Sequence, residues 1–414
     1  MEKSSAPPLS HRSAQAGSIM VLIVGVIAAV GAGKLPAELP LIRQELDMSL
    51  MQAGFLVAMF QLSGALMGLF GGALADRFGH RRIMQVGLAV LALGSALGAL
   101  VASPIPLLAS RALESLGFIL TVLPAAALLR RLVSPDHMGR WLGLWGAYMP
   151  VGFALALLVS PWISAQGGWQ GVWLAHAALA IACLPALRRL VPPDPPSAAD
   201  QRRYLPLLGA TLGARGPWLL ALCFGAYAGQ YLAIVSFLPS VYLQGGIALE
   251  QAGALSAGVA GINLFGNIAS GQLIHRGVRA STLIIVAASA LLIGAWVVFG
   301  TDLSFAIRYG VICVTSLLAG LIPGALFVLA PRFAPGAQTV STTVGLMQQG
   351  SGVGQIILPP LVAWVATISG GWHNTWMATG AFAAAAIFLA FAIAAHDKRL
   401  VREPAGGAPR VAPS

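Results

Sequence analysis

The chain has 414 residues, of which 57% are hydrophobic and only 9% charged, and its mean hydropathy of +0.82 excludes a water-soluble globular domain. Its net charge of +11 does not indicate a nucleic-acid-binding patch, because the basic residues stand in short clusters between apolar runs. The three cysteines fall within apolar stretches, so they predict neither a disulfide framework nor a metal site.

Apolar stretches long enough to cross a membrane fill most of the chain. A spanning helix needs about 20 such residues. Twelve stretches qualify, near residues 18 to 42, 52 to 75, 83 to 102, 104 to 130, 139 to 164, 171 to 190, 216 to 243, 251 to 274, 281 to 300, 304 to 331, 338 to 367 and 373 to 395. Arginine is concentrated in alternate loops, which indicates that those loops and both termini are cytoplasmic. The sequence therefore predicts an all-α protein of a bacterial-type inner membrane with twelve transmembrane helices.

The chain divides into two similar halves. Residues 191 to 215 are rich in proline and charge and predict a cytoplasmic linker between six-helix bundles at 18 to 190 and 216 to 396, with cytoplasmic tails at 1 to 17 and 397 to 414. The turn GGWQGVW at 167 to 173 recurs as GGWHNTW at 370 to 376, at the same place in each half. Internal duplication of this kind is typical of secondary transporters.

A charged pair stands in the first predicted span. Lys34 precedes Glu38 by one helical turn. Two interpretations are open: the long lysine stem reaches the membrane interface, or the charge faces a central cavity. Gly31, Gly33 and Pro36 predict an irregular helix at this point, as cavity-lining segments often have.

The loop after the second span, GALADRFGHRR at 72 to 82, carries a known signature. It resembles the G-x-L-x-D-R-x-G-R-R pattern of the major facilitator superfamily, with His80 at the first of the closing basic positions. The matching residues are Gly72, Leu74, Asp76, Arg77, Gly79, Arg81 and Arg82. The resemblance implies two pseudo-symmetric six-helix bundles and a loop that latches them on the cytoplasmic side, with the aspartate held by basic groups and a helix N-terminus. The alternative is a solvated turn that obeys the positive-inside rule. In the second half His275 replaces the acid, so a symmetric latch is not expected.

The fourth span contains a second charged motif, LLASRALESLGF, with Arg111, Glu114 and Gly117 on one helix face. An arginine in hydrocarbon costs at least about 2.5 to 3.5 kcal/mol unless it has a partner or faces a wet cavity, and Glu114 is within reach. The motif resembles the R-x-x-x-G element of proton-coupled members of the superfamily. A proton relay and a static ion pair that braces the bundle are equally compatible with it.

The remaining candidates lie in later spans. Arg308 occupies nearly the position in the tenth span that Arg111 has in the fourth, and two inward-facing guanidinium groups would suit an anion. The alternative for Arg308 is that it reaches the outer interface. Tyr148 and Gln348 are intramembrane polar candidates, and the GSGVG run at 350 to 354 predicts a close helix contact.

These features predict proton-coupled secondary transport by alternating access about a midplane site built from the first, fourth, seventh and tenth helices. The positive charges of Lys34, Arg111 and Arg308 favour uptake of a small anionic or polar solute. The Gly-Gly-Trp turns and the AYMP segment at 147 to 150 are similar to the branch of cyanate and nitroimidazole transporters.

Two other functions stay open. Proton-coupled drug efflux is the first, although only Gly146, Pro150 and Gly152 loosely resemble the G-x-x-x-G-P-x-x-G-G element of its members. A non-transporting receptor or scaffold is the second. An enzyme is not expected, because GAGKL at 31 to 35 lacks the flanking residues of a P-loop and no hydrolase motif occurs. The expected partners are a small solute, protons and the lipid bilayer, without a cofactor, a metal or nucleic acid, and the expected state is a monomer.

Overall fold

The computed structural model describes residues 11–69, 77–194 and 204–402. Within these ranges all regular structure is helical. The α-helices, numbered in chain order, are α1 (His11–Glu45), α2 (Leu50–Met59), α3 (Leu62–Met67), α4 (His80–Ala99), α5 (Pro104–Val122), α6 (Ala125–Leu132), α7 (Pro135–Gly146), α8 (Tyr148–Leu190), α9 (Tyr204–Gly213), α10 (Arg215–Gln244), α11 (Leu249–His275), α12 (Ala280–Gly300), α13 (Phe305–Ala319), α14 (Leu321–Phe333), α15 (Val340–Ile368) and α16 (Thr375–Arg402).

The described helices fit the predicted twelve crossings. Ten segments are long and apolar enough to span a membrane. One of these segments, Leu144–Leu190, is long enough for both the fifth and the sixth predicted span. Gly167 and Gly168 leave the helical conformation within it and separate the two spans. The second predicted span corresponds to α2 and α3, and its end at residues 70–75 lies outside the described ranges. The all-helical membrane fold predicted from the sequence is confirmed.

The internal repeat is visible in matching contacts at the two Gly-Gly-Trp turns. The indole of Trp169 donates to Glu45 at the end of α1 (2.9 Å), and the indole of Trp372 donates to Gln244 at the end of α10 (2.7 Å). The second tryptophan of each turn packs on a glycine: Trp173 on Gly98, and Trp376 on Gly300. The two halves therefore repeat side-chain contacts as well as helices.

The main core that the two halves share lies on one side of the membrane. We call the face that carries Arg131 and Arg332 the Arg-rich face, and the face with the Gly-Gly-Trp turns the Arg-poor face. Towards the Arg-poor face one apolar cluster unites both halves, including Leu39 and Leu157 of the first and Phe237 of the second. Towards the Arg-rich face each half has a core of its own. The halves are thus closed against each other on the Arg-poor side.

The predicted linker at 191 to 215 contains a helix that the sequence analysis did not predict. The apolar face of α9 places Leu208 in a small cluster with Leu69 of the first half and Leu346 of the second. The Thr211 hydroxyl lies 2.5 Å from the hydroxyl of Thr342. This helix therefore touches both halves near the Arg-rich face.

Two local predictions have opposite outcomes. The close contact predicted for the GSGVG run is confirmed, since Gly350 and Gly354 of α15 pack against the backbone at Gly225 of α10. The prediction that the first helix is irregular near Lys34 is wrong, because α1 continues through Pro36 and Pro40. Its residues there are buried against neighbouring helices, and this packing outweighs the missing proline N–H groups.

Candidate functional site

Four helices bring polar residues together inside the first half. We call the group the buried charge cluster: Lys34 from α1, Ser95 from α4, Arg111 and Glu114 from α5, and His176 from α8. Every member is at most 1% exposed. Three of the five carry charge in water, so this is the most costly set of side chains to bury within the described first half.

The Glu114 carboxylate binds two cations. The Lys34 ammonium donates to one carboxylate oxygen (Oε1) at 2.5 Å, and the Arg111 guanidinium donates to the other (Oε2). The ion pair that the sequence predicts between Arg111 and Glu114 is therefore present. Desolvation costs several kcal/mol for each buried ion, and only such close pairing offsets it.

Lys34 makes further contacts that define the state of His176. Its ammonium group lies 2.6 Å from the Ser95 hydroxyl, 3.2 Å from His176 Nδ1 and 4.3 Å from the centre of the Trp173 ring. An ammonium group can only donate, so Nδ1 accepts and the ring proton is on Nε2, which donates to the carbonyl of Ile27 at 2.9 Å. His176 is thus neutral. Because Lys34 is completely buried among these groups, the interpretation that it reaches the membrane interface is wrong.

The cluster holds one more positive than negative charge. Arg111 donates to the carbonyl of Gly31 at 2.9 Å, and its guanidinium lies 4.4 Å from the centre of the Phe60 ring. Its Nε is buried and has no hydrogen-bond partner among the described residues. Lys34 and Arg111 therefore share the single carboxylate of Glu114 and leave a formal excess of one cation.

Glu38 lies apart from the cluster and is not paired. It is completely buried, and neither carboxylate oxygen has a hydrogen-bond partner in the described part of the chain. Ser164 lies close enough to interact with Glu38, but its hydroxyl donates to the carbonyl of Pro161 at 3.2 Å. Buried hydroxyl groups without partners also occur on the facing half, at Ser236, Ser240 and Ser256. The closed Arg-poor side thus removes several polar groups from water without pairing them.

The second half does not repeat these charges. Lys34 stands eleven residues before Glu45, and the residue eleven before Gln244 is Ala233. His176 follows Trp173 by three residues, and Thr379 follows Trp376 by three. The buried charge cluster therefore belongs to the first half alone and is not needed to build a six-helix bundle.

Uncharged groups fill the middle of the second half. The Tyr231 hydroxyl lies 3.3 Å from the Ser316 hydroxyl, and the Asn263 amide donates to the carbonyl of Ser316 at 2.9 Å. These residues come from α10, α11 and α13. A solute between the two halves would meet ionic groups on one side and neutral hydrogen-bonding groups on the other.

The other sequence candidates are not in the cluster. Tyr148 is half-buried and stacks on Trp145, with ring centroids 4.4 Å apart. Gln348 is half-buried in α15. Arg308 lines a pocket formed only by second-half residues, so the expected meeting of Arg308 and Arg111 around one cavity does not occur. The start of the tenth span places Arg308 near the Arg-poor face instead.

The signature loop lies partly outside the described ranges, including Gly72, Leu74 and Asp76. Its described end includes Arg77, whose guanidinium lies 5.1 Å from the centre of the Phe78 ring. Gly79 has a φ of 95°, a backbone conformation that favours glycine, and precedes α4. The loop therefore ends in a tight turn directly before the third span.

The N-terminus of α4 holds an acid that the sequence analysis did not single out. The carboxylate of Asp194 accepts from the backbone N–H groups of Arg81 (3.0 Å) and Arg82 (3.1 Å) and from the Arg131 guanidinium (2.9 Å). Burial opposes ionisation, but these donors outweigh it and hold the pKa of Asp194 below its usual value. The second half has a related ion pair, Arg332 with Asp397 at 2.9 Å.

The duplication is the signal that could have identified these pairs. Each arginine ends the fourth span of its half, and each aspartate follows the sixth. Asp194 follows Arg131 by 63 residues, and Asp397 follows Arg332 by 65. The first pair joins the start of the linker to α4 and α6 of the first half, so its contacts tie elements of one half together rather than latching the two bundles.

Comparison with known proteins decides the family. The profile described as "Major Facilitator Superfamily" matches residues 21–348. The chain belongs to this superfamily. A solved structure of the same fold, a bacterial homologue of the human lysosomal transporter Spinster in an inward-facing and occupied conformation, has a TM-score of 0.80 over 96% of this chain and 99% of that one, at 16% identity.

Curated relatives in the superfamily are named for resistance. The puromycin resistance protein pur8 of Streptomyces alboniger is 30% identical over 202 residues, which are 48% of this chain and 39% of that protein. The methylenomycin A resistance protein of Bacillus subtilis (strain 168) is 28% identical over 250 residues, 58% of this chain and 54% of that protein. The matched part thus spans about half or less of each relative's length.

The superfamily assignment confirms the prediction of a multi-pass membrane protein from a family of transporters rather than of enzymes. A further relative, the cephamycin export protein CmcT of Amycolatopsis lactamdurans, is 32% identical over 185 residues, 44% of this chain and 38% of that protein. The narrower likeness to cyanate and nitroimidazole transporters is not supported by these relatives and stays a prediction.

Proposed function

We propose that this transporter exports a small organic solute in exchange for protons, with the Arg-rich face in the cytoplasm of a bacterial-type inner membrane. The observation that carries the proposal is the fully buried, unpaired carboxylate of Glu38 on the closed Arg-poor side, one helical turn from the buried charge cluster. Ionisable groups at this depth are costly and are retained where they serve transport.

Proton coupling follows from the cost of burying Glu38. An unpaired carboxylate anion costs several kcal/mol when it leaves water, whereas the neutral acid costs far less. Glu38 is therefore neutral when the Arg-poor side is closed and free to ionise when that side opens to water. Closure on the Arg-poor side therefore takes up a proton from that side. Exchange for solute requires that this proton then leave towards the Arg-rich face, past Lys34 one helical turn away, before the Arg-poor side opens again.

The charge cluster supports a solute with an anionic group. Lys34 and Arg111 exceed Glu114 by one positive charge, and Arg111 Nε has no partner. A carboxylate or phosphate oxygen placed there would complete both the charge balance and the hydrogen bonding. Tyr148 and Gln348 are further candidate contacts, and Arg77, Gly79, Arg81 and Arg82 belong to the proposed gating loop.

Export is favoured over uptake by the relatives named for antibiotic resistance and export. Uptake of a small anion is the second candidate, and the excess positive charge of the cluster favours it. A strain that lacks the gene distinguishes the two: loss of an exporter lowers tolerance to its substrate, and loss of an importer raises tolerance or prevents use of the solute. Puromycin, a cephamycin and small organic acids form the first test panel.

Proteoliposomes with an imposed pH gradient test the coupling. Glu38→Gln removes the titrating group and keeps the shape, so we expect at least a tenfold loss of proton-driven flux, while solute exchange at equal pH continues. Glu250→Gln is the matched control, because Glu250 is an exposed acid near the Arg-poor face. Proton-driven flux that survives Glu38→Gln unchanged would refute the role of Glu38. Absence of flux for every solute would refute the transport proposal for this panel.

A further inference from the structure

A second pocket lies outside the charge cluster, at the Arg-poor face of the second half. Its volume is about 450 Å³, and it lies between the ends of α10 and α12 and the starts of α11 and α13. Its lining includes Tyr242, Gln251, Phe305, Arg308 and Tyr309, and no residue of the first half. It is therefore separate from the proposed transport site.

Three aromatic rings enclose one side of this pocket. The ring of Phe305 lies 5.5 Å from that of Tyr242, nearly perpendicular to it, and 6.0 Å from that of Tyr309, nearly parallel to it. The rings of Tyr242 and Tyr309 are 6.5 Å apart. Such a wall offers a large apolar surface to a flat or acyl group.

Two hydrogen-bond donors of the pocket lack partners. Arg308 forms no ion pair with a carboxylate in the described ranges, and its Nε is buried without a hydrogen bond. The hydroxyl of Tyr242 is likewise buried and unpaired. Unpaired buried donors are uncommon in folded proteins, and each one calls for a specific explanation.

The fold does not require this arginine. Arg308 stands four residues after Ser304, the residue that precedes α13, and Leu107 stands four after Ser103, which precedes α5. Leu107 is completely buried, so the first half fills the equivalent position with an apolar side chain. The guanidinium is an addition specific to the second half.

We propose that this pocket binds an amphiphilic anion, with its carboxylate or phosphate at Arg308 and Tyr242 and its apolar body against the three rings. Guanidinium and phenol groups are the donors that such oxygens prefer, and the volume is within the range of small-molecule sites. Two sources share this chemistry: a dissolved aromatic acid and the headgroup of an anionic lipid. The proposal goes beyond transport and needs no flux to be tested.

Binding is measured on the purified full chain in nanodiscs, with 4-(trifluoromethyl)benzoate as the ¹⁹F NMR probe. We expect saturable binding in phosphatidylcholine discs, weakened at least tenfold by Arg308→Gln and less by Tyr242→Phe, because an ionic hydrogen bond is stronger than a neutral one. Arg276→Gln, which changes an exposed arginine at the end of α11, is the matched control and should leave binding unchanged. Thermal unfolding of each variant confirms that it is folded.

A second arm separates the two sources. If anionic lipid occupies the pocket, discs that contain phosphatidylglycerol weaken benzoate binding in the wild type, and native mass spectrometry shows lipid retention that Arg308→Gln removes. If a dissolved acid is the ligand, phosphatidylglycerol has no effect on benzoate binding. Either result supports the site. The proposal is overturned if neither benzoate nor phosphatidylglycerol binds in a way that depends on Arg308 in folded protein.

Discussion

Replacing Glu114 by glutamine removes the carboxylate that two buried cations share and keeps nearly the same side-chain shape. Lys34 lies 2.5 Å from this carboxylate, and all three side chains are at most 1% exposed. The substitution leaves two cations in a low-dielectric interior without a counterion. Breaking a buried ion pair in this way costs about 3 to 5 kcal/mol, so we expect Glu114→Gln to lower the free energy of unfolding by that amount.

The assay is a denaturant titration of the purified transporter in detergent micelles. Asp397→Asn is the control, because its partner Arg332 is 51% exposed and Asp397 is 30% exposed. A surface pair of that kind contributes about 0 to 1 kcal/mol. Adding Lys34→Met to Glu114→Gln removes one unpaired cation, so the double variant should be less destabilised than the sum of the single variants.

A cost of Glu114→Gln no larger than that of Asp397→Asn would contradict a shared counterion role for Glu114. Strict additivity of Lys34→Met and Glu114→Gln would be equally damaging, because residues in direct contact should couple by about 0.5 to 3 kcal/mol. Either result would mean that the two cations are not held by Glu114.

Three further predictions concern the Arg-rich face and the helix contacts. The pKa of Asp194 is lower in the folded protein than in the unfolded chain, so ionised Asp194 stabilises the fold. This stabilisation is complete above the unfolded pKa of about 3.9 and is lost as the pH falls through the lower folded pKa. The unfolding free energy measured between pH 7 and pH 2 should therefore depend less on pH in Asp194→Asn than in the wild type. Gly79→Ala should cost more stability than Gly277→Ala. The two glycines have nearly the same φ, 95° and 94°, but a methyl group at Gly79 would lie 2.5 Å from the Asp194 carboxylate, whereas one at Gly277 would meet open space. Equal unfolding midpoints of the two variants would contradict this prediction. Gly354→Leu should cost about 1 to 3 kcal/mol or more by overpacking against Gly225 of α10, while Gly371→Leu, which has open space, should change the unfolding free energy little.

The fold could be predicted because membrane crossing imposes a length and an apolar composition on every span. The repeat was equally accessible, since Trp169 and Trp372 stand in nearly identical turns whose contacts are also repeated. The ion pair of Arg111 and Glu114 follows from their spacing of three residues on one helix. Each of these predictions depends on local sequence alone.

Contacts between distant helices could not be predicted in the same way. Lys34 reaches Glu114 across 80 residues of sequence, and that contact depends on how α1 is rotated against α5. Arg308 faces a pocket of its own because it is the fourth residue of its helix, where the first half has Leu107, and is therefore one turn nearer the Arg-poor face than Arg111. The lack of a hydrogen-bond partner for Glu38 among the described residues is likewise a property of packing that no motif records.

In the proposed cycle, closure on the Arg-poor side requires a neutral Glu38, and the two faces open in turn. Pulsed electron resonance distances test it, with one spin-label pair at the Arg-poor ends, Met51→Cys with Glu250→Cys, and one at the Arg-rich face, Arg130→Cys with Gln338→Cys, all at exposed positions. The native cysteines at 183, 223 and 313 are first replaced by serine or alanine. Raising the pH should lengthen the Arg-poor distance and shorten the Arg-rich one, and Glu38→Gln should abolish both changes. Distances that do not respond to pH, or that change equally in Glu38→Gln, would contradict the account.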